Sequence, residues 1–513
     1  MESSFEFVVN GQTVRVTGES TNQSLLSYLR AHGHTGSKEG CAEGDCGACT
    51  VAVVDTDAAG KTTYRAINSC IALLPTLAGR EIVTVEGIGT PEALHPVQAS
   101  MVRNYGSQCG FCTPGFIASM FEGYYREDLR EPWQVNDQLN GNLCRCTGYR
   151  PIRDAFLEAK ASRLPNDCFQ QRLAQQVPAL KAVAYETAAQ RFLRPTSLEA
   201  LLDLRAKNPG AELVCGATEL GVYINKANKR YPLLLSTEGV PELTRIERAE
   251  DMLVVGAAAS LTALEESLHG EFPQLQKMLL VFAARPIRNR ASLGGNLVTA
   301  SPIGDMAPVL LSLDASVQLA SLRGTRTVAL ADFFVAYRKT VLAPDEVMVS
   351  ISIPRKAAST SRLVASYKVS KRRELDIAIV SAGFCIDRDE RGVVTHARLA
   401  YGGVAAIPSR ARQTEDFLVG KPWDASTVAE AKRILAGEFS PIDDVRSGAT
   451  FRRELIPSLW EKFWLGEEEE PADFCVGRVV AEPGASRGLK HESAIGHVTG
   501  TAQYVDDQAC QRG

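Results

Sequence analysis

The chain has 513 residues, 45% of them hydrophobic and 23% charged, with a formal net charge of −4. This length is typical of about three or four domains with ordinary hydrophobic cores. The absence of a basic excess argues against nucleic-acid binding, and no apolar run approaches the roughly 20 residues of a membrane-spanning helix. The first residues alternate like a strand and lack the layout of a signal peptide. We therefore expect a cytoplasmic protein whose clustered cysteines bind metal.

The N-terminal segment predicts a small domain rich in strands. Residues 5–16 are typical of a hairpin turning at Asn10-Gly11, the strongest short turn signal. A short helix over Leu25–Ala31, ending at Gly33, and a strand beginning at residue 49 follow.

Eight of the thirteen cysteines fall into two sets of four near the N-terminus. The first set is Cys41, Cys46, Cys49 and Cys70. Spacings of four and two residues with a distant fourth cysteine are typical of plant-type ferredoxins, which hold a 2Fe–2S cluster. Glycines in the segment 40–47 let backbone N–H groups turn inward toward cluster sulfurs. Structural zinc is the alternative, but zinc usually takes its four thiolates as two close pairs.

The second set is Cys109, Cys112, Cys144 and Cys146. Each pair precedes a predicted helix, entered through Pro114 or Pro151. Helix N-termini carry partial positive charge, which favours anionic thiolates. Taken alone, this set is compatible with zinc, and beside the first set it predicts a second 2Fe–2S cluster.

Residues 161–190 predict a polar, exposed connector in which Cys168 is an ordinary thiol. From residue 191 onward, strands and helices alternate, which is typical of an α/β domain. A helix capped by Thr196 or Ser197 precedes a buried strand over residues 211–221. No Walker A or GxGxxG fingerprint is present. Two glycine-bearing turns, at residues 216–219 and 294–296, are candidates for a phosphate cradle or plain loops.

The cysteine motifs EGCAEGDCGACTV, QCGFCTPGFI and GNLCRCTGYRPI resemble the iron–sulfur half of the xanthine dehydrogenase/aldehyde oxidase family of molybdenum hydroxylases. The resemblance implies a β-grasp ferredoxin domain followed by a four-helix domain. The second cluster is expected nearer the molybdenum cofactor and the first nearer the flavin. Gln108 matches a glutamine that contacts molybdopterin in that family, and a helix-capping or loop role is the alternative.

The segments LVCGATELG and ASLGGNLVTASPIGD resemble the two FAD-binding segments of the same family, whose flavin domain has the vanillyl-alcohol-oxidase type of fold. The resemblance implies that residues 213–220 wrap the diphosphate, with Thr218 donating to phosphate, and that Ser292 and residues 294–296 complete the cradle. Phe282 is expected against the FAD rings or in the core, and Ser301 and Asp305 on the flavin or ribityl side. The implied FAD residues are Leu213, Val214, Cys215, Gly216, Ala217, Thr218, Glu219, Leu220, Phe282, Ser292, Gly294, Gly295, Asn296, Ser301 and Asp305.

Residues 366–386 resemble the C-terminal subdomain of the family's flavoprotein part. Tyr367 and the basic stretch 371–373 are candidates for the nicotinamide side, although a strand aromatic and a solvated basic turn are the simpler interpretation. An amphipathic helix over residues 451–465 closes the region. Residues 467–470 are an acidic run, typical of a solvated hinge.

Residues 491–507 resemble the opening of the family's molybdenum-binding domain, which needs several hundred residues. We therefore expect either a truncated fused polypeptide or a small subunit with an extension. His491 and His497 are interpreted as surface or strand histidines, and the last 35 or so residues are expected to be loose.

The sequence thus predicts an α+β multidomain chain. Its expected units are a plant-type ferredoxin domain (1–86), a helical 2Fe–2S domain (87–160), a linker (161–190), an FAD-binding domain (191–360), a flavoprotein C-terminal subdomain (361–466) and a hinge with the start of a molybdenum domain (467–513). The resemblance implies an electron-transfer component that uses NAD⁺ as acceptor and binds a molybdopterin-bearing large subunit as a heterotetramer. A subunit of another molybdenum hydroxylase and a standalone NADH-linked electron carrier are the alternatives.

Overall fold

The computed structural model describes residues 3–355, 361–466 and 491–510. These residues form a mixed α and β molecule, as predicted. Within them, no helix has both the length and the apolar character that crossing a membrane requires. The predicted acidic hinge falls in residues 467–490, which lie outside the described residues.

The first unit is a β-grasp sheet with the strand order β2-β1-β5-β3-β4. Its elements are β1 (Ser4–Val9), β2 (Gln12–Thr17), α1 (Leu25–Ala31), β3 (Thr50–Thr56), β4 (Thr62–Asn68) and β5 (Glu81–Val83). Asn10 and Gly11 have φ angles of 50° and 80°. Both values suit a tight two-residue hairpin turn, so the predicted hairpin is confirmed.

The second unit is a group of helices that packs on β3 and β4. Its helices are α2 (Val85–Ile88), α3 (Pro96–Arg103), α4 (Thr113–Tyr125), α5 (Pro132–Leu139), α6 (Arg150–Ala161) and α7 (Cys168–Leu173). Helices α4 and α6 begin where predicted, with Pro114 and Pro151 in their first turns. Helix α4 is buried along its whole length, because it lies between the sheet and the other helices.

Helix α7 lies inside the segment predicted as a plain connector. The Phe169 ring meets Phe121 edge-on at 4.8 Å between centroids and also contacts Tyr64. Cys168 is exposed, as predicted. The connector is therefore partly anchored, because one apolar side chain in a polar stretch finds an aromatic cluster.

The third unit contains two larger sheets, ordered β6-β7-β9-β8 and β10-β11-β16-β12-β13, and the ribbon β14-β15. Its elements are β6 (Val183–Glu186), β7 (Arg191–Arg194), α8 (Leu198–Lys207), β8 (Glu212–Val214), α9 (Leu220–Lys226), β9 (Leu233–Ser236), α10 (Pro241–Thr244), β10 (Ile246–Arg248), β11 (Met252–Gly256), α11 (Leu261–Ser267), α12 (Pro273–Val281), α13 (Arg285–Arg288), α14 (Leu293–Val298), α15 (Met306–Ser312), β12 (Ser316–Ser321), β13 (Gly324–Ala329), β14 (Phe334–Ala336), β15 (Lys339–Thr340) and β16 (Val347–Pro354). Ser197 caps α8, accepting a hydrogen bond from the Ala200 N–H.

The strand predicted over residues 211–221 is much shorter in the structure. Only β8 is extended, and the chain turns at Gly216, with a φ of 65°, before α9 begins at Leu220. A Cβ at Gly216 would lie 1.8 Å from the Arg290 carbonyl oxygen. The turn therefore depends on glycine at this position. The apolar residues on either side of Gly216 give no sign of the turn in the sequence.

The fourth unit is an antiparallel sheet, β17-β18-β19-β20, covered by three helices. Its elements are β17 (Ser361–Val369), β18 (Val380–Arg388), β19 (Val394–Gly402), β20 (Ser409–Arg410), α16 (Arg412–Leu418), α17 (Ala425–Leu435) and α18 (Ala449–Leu465). The final helix is confirmed, although Pro457 lies inside it. Trp460 of α18 is fully buried and meets the Phe384 ring of β18.

The segment 491–507 packs against the first two units of the molecule. Helices α19 (Ala494–Thr499) and α20 (Val505–Cys510) form there. Val498 is fully buried beside α3 and α4, and its carbonyl accepts a hydrogen bond from Gln98 at 2.9 Å. The expectation of a loose tail is wrong for these residues, because their apolar side finds a partner within this chain. His497 is also buried rather than at the surface.

Glu122 of α4 joins three units in one buried junction. Its carboxylate accepts a hydrogen bond from Arg285 of α13 at 2.8 Å and from the Ala66 N–H of β4 at 3.1 Å. Burial alone would raise the pKa of Glu122, but the Arg285 guanidinium holds it below its usual range. A paired buried charge of this kind is costly to break, so the second and third units are held in fixed positions on the sheet of the first.

Candidate functional site

The first four cysteines meet at the edge of the β-grasp sheet. The Cys41 sulfur contacts those of Cys46 and Cys70, and the Cys70 sulfur contacts that of Cys49. Cys49 and Cys70 are buried, whereas Cys41 and Cys46 are partly exposed. The fold thus brings Cys70, which follows β4, to the loop that precedes β3.

Backbone N–H groups of this loop point at sulfur. The Asp45 and Cys46 N–H groups each donate to Cys41 Sγ at 3.3 Å. A Cβ at Gly40 would lie 2.7 Å from Cys46 Sγ, so the backbone can approach the sulfur only as glycine. Hydrogen bonds from the Cys46 and Cys70 thiols lower the pKa of Cys41. The same contacts raise the pKa values of Cys46 and Cys70, so thiolate, the form of cysteine that binds metal, is favoured at Cys41 and Cys49.

The second four cysteines meet near the start of α4. The Cys112 thiol lies near those of Cys144 and Cys109, and Cys146 pairs with Cys109. Cys109 and Cys146 are exposed. Cys112 is the residue that caps α4, so the positive end of that helix faces the sulfurs.

The loop that carries Cys144 is fixed by local hydrogen bonds. Cys144 Sγ lies 3.2 Å from the Thr147 hydroxyl, and the Cys144 N–H donates to the Tyr149 hydroxyl at 3.0 Å. Tyr149 has a φ of 68°, which is uncommon for a side chain of this size. The strained backbone is held in place by these contacts.

The two cysteine sets lie on touching loops. The Leu143 N–H donates to the Cys46 carbonyl at 2.9 Å, and the Asn142 side chain donates to the Gly47 carbonyl at 3.0 Å. A Cβ at Gly47 would lie 2.1 Å from the Gly141 carbonyl oxygen. The loops are therefore packed backbone against backbone.

The two predicted flavin segments converge in the third unit. The Thr299 hydroxyl donates to the Glu219 carboxylate at 2.7 Å, and the Cys215 thiol contacts the Ser292 hydroxyl. Ser292 also caps α14 by accepting a hydrogen bond from the Gly295 N–H at 3.2 Å. Burial raises the pKa of Cys215 to about 11, so this cysteine stays a neutral thiol.

Asp305 and Lys368 form a buried ion pair near Phe282. The Lys368 ammonium lies 2.9 Å from an Asp305 oxygen and donates to the Val281 carbonyl at 2.9 Å. Burial raises the pKa of Asp305, and Lys368 opposes that rise. Phe282 is half-buried at the end of α12, on the margin of the largest core cluster. Ser301 accepts a hydrogen bond from the Ile303 N–H at 3.4 Å.

The flavin segments have polar groups that FAD would satisfy. Within the described residues, the N–H groups of Gly216, Thr218 and Glu219 have no acceptor. One side-chain oxygen each of Asn296 and Asp305 is buried without a hydrogen-bond partner. Buried side-chain oxygens without a partner are rare in folded proteins, so Asn296 and Asp305 fit contact with a bound polar group.

The other candidate residues lie in different surroundings. Gln108 is exposed beside Cys109. Tyr367 is buried against Phe384, with ring centroids 5.8 Å apart, which supports the simpler strand interpretation. In the exposed stretch 371–373, Arg372 pairs with Asp376 at 2.7 Å.

Four protein families match the chain in series. Residues 7–74 match a "2Fe-2S iron-sulfur cluster binding domain" and residues 84–157 a "2Fe-2S binding domain". Residues 184–356 match the "FAD binding domain in molybdopterin dehydrogenase" and residues 365–466 the "CO dehydrogenase flavoprotein C-terminal domain". The cysteine sets lie within the first two matches and the flavin segments within the third. The chain therefore carries two 2Fe–2S domains and an FAD-binding domain.

Curated relatives match along nearly the whole chain. A xanthine dehydrogenase of Emericella nidulans is 32% identical over 100% of this chain and 44% of that protein. The chain is thus similar along its whole length to xanthine dehydrogenases, and it fits the iron–sulfur and FAD part of a molybdenum hydroxylase. A xanthine dehydrogenase/oxidase of Rattus norvegicus is 34% identical over 90% of this chain and 38% of that protein. The chain thus spans less than half the length of these two relatives.

A solved structure supports the mixed α and β architecture of the chain. It is a carbon monoxide dehydrogenase from Hydrogenophaga pseudoflava which lacks the Mo-pyranopterin moiety of the molybdenum cofactor. The match covers 53% of this chain and 94% of the carbon monoxide dehydrogenase chain at 25% identity, with a TM-score of 0.50.

Several residues around these sites were not predicted from the sequence. Asn142 and Asn225 hold the cysteine loops, and Lys368 pairs with Asp305. Asn142 stands two residues before Cys144, the first cysteine of the Cys-x-Cys pair, which is a signal that could have identified it. Asn225 and Lys368 lie far along the chain from their partners, so only the fold reveals them.

Proposed function

We propose that this chain is the electron-transfer part of a xanthine dehydrogenase. In this proposal, purine hydroxylation takes place at a molybdopterin centre on a partner region. Electrons then enter this chain near the second cysteine set. They leave to NAD⁺ from the third unit, β6 to β16, which we call the flavin unit. The observation that carries the proposal is an unbroken line of contacts from the second cysteine set, through the first, to the flavin unit.

The first step of that line is the contact between the two cysteine loops. The residue before Cys144 donates its N–H to the Cys46 carbonyl at 2.9 Å. One backbone hydrogen bond therefore separates the segments that carry ligands of the two sets. Close packing of this kind holds two redox centres at a fixed separation, which short-range electron exchange requires.

The second step links the first cysteine set to the flavin unit. Asn225 of α9 donates to the Cys70 carbonyl at 2.8 Å and to the Ala42 carbonyl at 2.9 Å. Its helix begins directly after the turn 216–219. The same short helix therefore touches the first cysteine loop and follows the proposed phosphate cradle.

The chain's residues have separate roles in this proposal. The two cysteine sets hold 2Fe–2S clusters, residues 213–220 and 292–296 hold the FAD diphosphate, and Asp305 with Ser301 binds the flavin or ribityl side. When bound, the clusters supply one-electron exchange and the flavin supplies the two-electron exchange that NAD⁺ requires. The chain's N–H groups at Cys41 and its buried Asp305–Lys368 pair set the polarity around these groups.

The partner is proposed to bind on the side of the second cysteine set. Cys109, Cys146 and Gln108 are all exposed in this region. We assign Gln108 to contact with molybdopterin, because it adjoins Cys109 and its side chain is exposed. A molybdenum-bearing large subunit, forming a heterotetramer with this chain, would cover these residues.

The proposal is tested with the assembled holoenzyme. Xanthine should reduce NAD⁺, and aldehydes and N-heterocycles should react more slowly. The visible spectrum should contain both flavin and iron–sulfur bands, and iron and inorganic sulfide should be stoichiometric. Preference for an aldehyde would assign the chain to another branch of the family. Zinc without iron or sulfide would overturn the electron-transfer proposal itself.

Replacement of Thr218 by alanine tests the flavin cradle. We expect FAD to bind roughly 2- to 10-fold more weakly, the effect of losing one hydrogen bond. The measurement is FAD content after dialysis, and the matched control is Thr244→Ala, because Thr244 is exposed and donates only to the Pro241 carbonyl. Equal FAD retention in both variants would show that the cradle lies elsewhere.

A further inference from the structure

The paired ends of β18 and β19 carry three side chains of metal-ligating type, remote in sequence from the cysteine sets. Cys385 and Asp387 are two residues apart on β18 and so lie on the same face of the sheet. His396 lies directly opposite Asp387 on β19. The Cys385 sulfur, a carboxylate oxygen of Asp387 and a ring nitrogen of His396 all lie within 4.8 Å of one another. The electron-transfer function uses none of these three side chains.

The His396 ring is oriented by a carboxylate on its outer side. Nε2 lies 2.7 Å from an Asp314 oxygen, so that nitrogen carries the proton. Nδ1 faces inward, is buried and has no hydrogen-bond partner. It lies 3.7 Å from an Asp387 oxygen, which is too long for a hydrogen bond. A cation between Nδ1 and that oxygen would satisfy both atoms.

Asp387 keeps acceptor capacity for a cation. Arg362 of β17 donates to its two oxygens at 2.7 and 2.8 Å, and each oxygen retains a second lone pair. Three neighbouring guanidinium groups are each matched by a carboxylate: Arg362 with Asp387, Arg398 with Asp314, and Arg410 with Glu415. Arg362 thus holds the carboxylate of Asp387, and Asp314 holds the ring of His396. Hydrogen bonds to a ligand carboxylate and to a ligand histidine are the usual surroundings of a protein metal site.

We propose that Cys385, Asp387 and His396 form a binding site for one zinc ion. A thiolate, an imidazole and a carboxylate are the ligand types that zinc accepts together, and water would complete four-coordination. Zinc–ligand bonds of about 2.0–2.3 Å require the distances between the three ligand atoms to shorten by on the order of 1 Å. Binding replaces the proton of the Cys385 thiol, which leaves to water, and no electron is transferred.

The site would connect two units of the molecule. Asp314 lies between α15 and β12 in the flavin unit, whereas the three ligands belong to the C-terminal sheet. A metal on Nδ1 strengthens the hydrogen bond that the opposite ring N–H makes, here to Asp314. Zinc would therefore fasten the C-terminal sheet to the flavin unit on the side where Asp314 lies.

The test uses the holoprotein with its flavin and clusters in place. After treatment with a mild chelator, Zn²⁺ is added by equilibrium dialysis and bound zinc is examined by X-ray absorption at the zinc edge, where iron and flavin do not interfere. We expect one zinc per chain, with one sulfur at about 2.3 Å and nitrogen or oxygen in the other positions. His396→Gln should weaken zinc binding by at least about tenfold. Cys385→Ala should remove the sulfur signal.

The matched control is Cys168→Ser, because Cys168 is an exposed thiol in another unit. It should bind zinc as the parent protein does. Cys385 is buried, so iron and flavin content must show that its variant has folded; if it has not, the partly exposed His396→Gln variant decides. Failure of the parent protein to bind stoichiometric zinc, or equal binding by the parent and His396→Gln, would overturn the proposal. Neither result depends on xanthine or NAD⁺ turnover.

Discussion

The two cysteine sets are built differently. The first lies in a loop enclosed by the β-grasp sheet and the flavin unit, with two of its cysteines buried and backbone N–H groups pointing at Cys41. The second lies where α4 begins, and two of its cysteines, Cys109 and Cys146, are exposed. This chain alone thus surrounds the first set, whereas part of the second set faces solvent.

This difference matches the direction proposed for electron flow. Hydrogen bonds to sulfur and exclusion of solvent both tune the potential of an iron–sulfur cluster. The enclosed first site can be tuned by this chain alone. The second site depends in part on what covers it, namely the segment 491–507 and the proposed partner.

The largest effects are expected from replacing one ligand in each set. Cys46→Ser should abolish one cluster's paramagnetic signal and lower NAD⁺-linked turnover by more than about 100-fold, while FAD stays bound. The loss is expected to be this large because changing a residue that only supports a metal ligand already costs about 10–100-fold. Cys146→Ser should abolish only the other signal. Both are measured by paramagnetic resonance and turnover of the holoenzyme.

Cys168→Ser is the control for both ligand variants, since that thiol is exposed and outside both sets. It should keep both signals and full turnover. Survival of both cluster signals in Cys46→Ser would refute the assignment of the first set.

A second effect is expected where the two sets touch. Gly47→Ala places a Cβ against the Gly141 carbonyl at a φ of 70°, so we expect a loss of more than about 4 kcal/mol of stability and loss of cluster from both loops. The measurement is the midpoint of thermal unfolding together with iron content. Gly60→Ala is the matched control, because Gly60 has a φ of 79° with open space around it. Similar losses in both variants would mean that backbone strain, not the contact between loops, is responsible.

A smaller effect is expected where the segment 491–507 covers the second set. Asp507 is buried between Lys38, at 2.7 Å, and Arg30, at 3.0 Å. Asp507→Asn removes the negative charge that faces these two cations and should cost about 3 kcal/mol locally. The loss should be seen as faster hydrogen exchange over residues 491–507. Asp506→Asn, which changes an exposed neighbour, is the control. Unchanged exchange in Asp507→Asn would show that the ion pair does not hold the segment.

The same ion pair gives a pH dependence with a defined sign. Burial alone would raise the pKa of Asp507, but Lys38 and Arg30 hold it below its usual range. A carboxyl of this kind stabilises the folded state fully above its unfolded pKa of about 3.9, and that stability is lost as the pH falls through the lower folded value. After correction for the intrinsic exchange rate, which itself falls with pH in this range, protection from hydrogen exchange over residues 491–507 should therefore decrease below about pH 4 in the parent protein and less so in Asp507→Asn.

The sequence predicts those features that depend on short stretches of chain. The hairpin at Asn10-Gly11, helix α1 and the proline-entered helices α4 and α6 follow from turn and capping rules that act within a few residues. The spacing of the cysteines likewise indicates their role as ligands, because most of each set lies within a few residues of a neighbouring member.

The contacts between units could not be predicted in this way. Glu122 and Arg285 are 163 residues apart, and nothing near either one identifies the other. The packing of residues 491–507 was missed for the same reason, because their partners lie near the start of the chain. The strand predicted over residues 211–221 is longer than β8, because the apolar run around Gly216 gives no sign of the turn there. Cys385 and Asp387 are visible as a pair, but only strand register places His396 opposite them.

The hydrogen bond from Leu143 to Cys46 has a consequence for kinetics. Electron carriers that depend on the motion of a tethered domain become slower as the viscosity of the solvent rises, because the domain must diffuse in each cycle. Here the two loops cannot part without breaking buried backbone contacts. Glycerol or sucrose should therefore leave the internal relay rate unaltered and retard only the arrival of substrate and the departure of product.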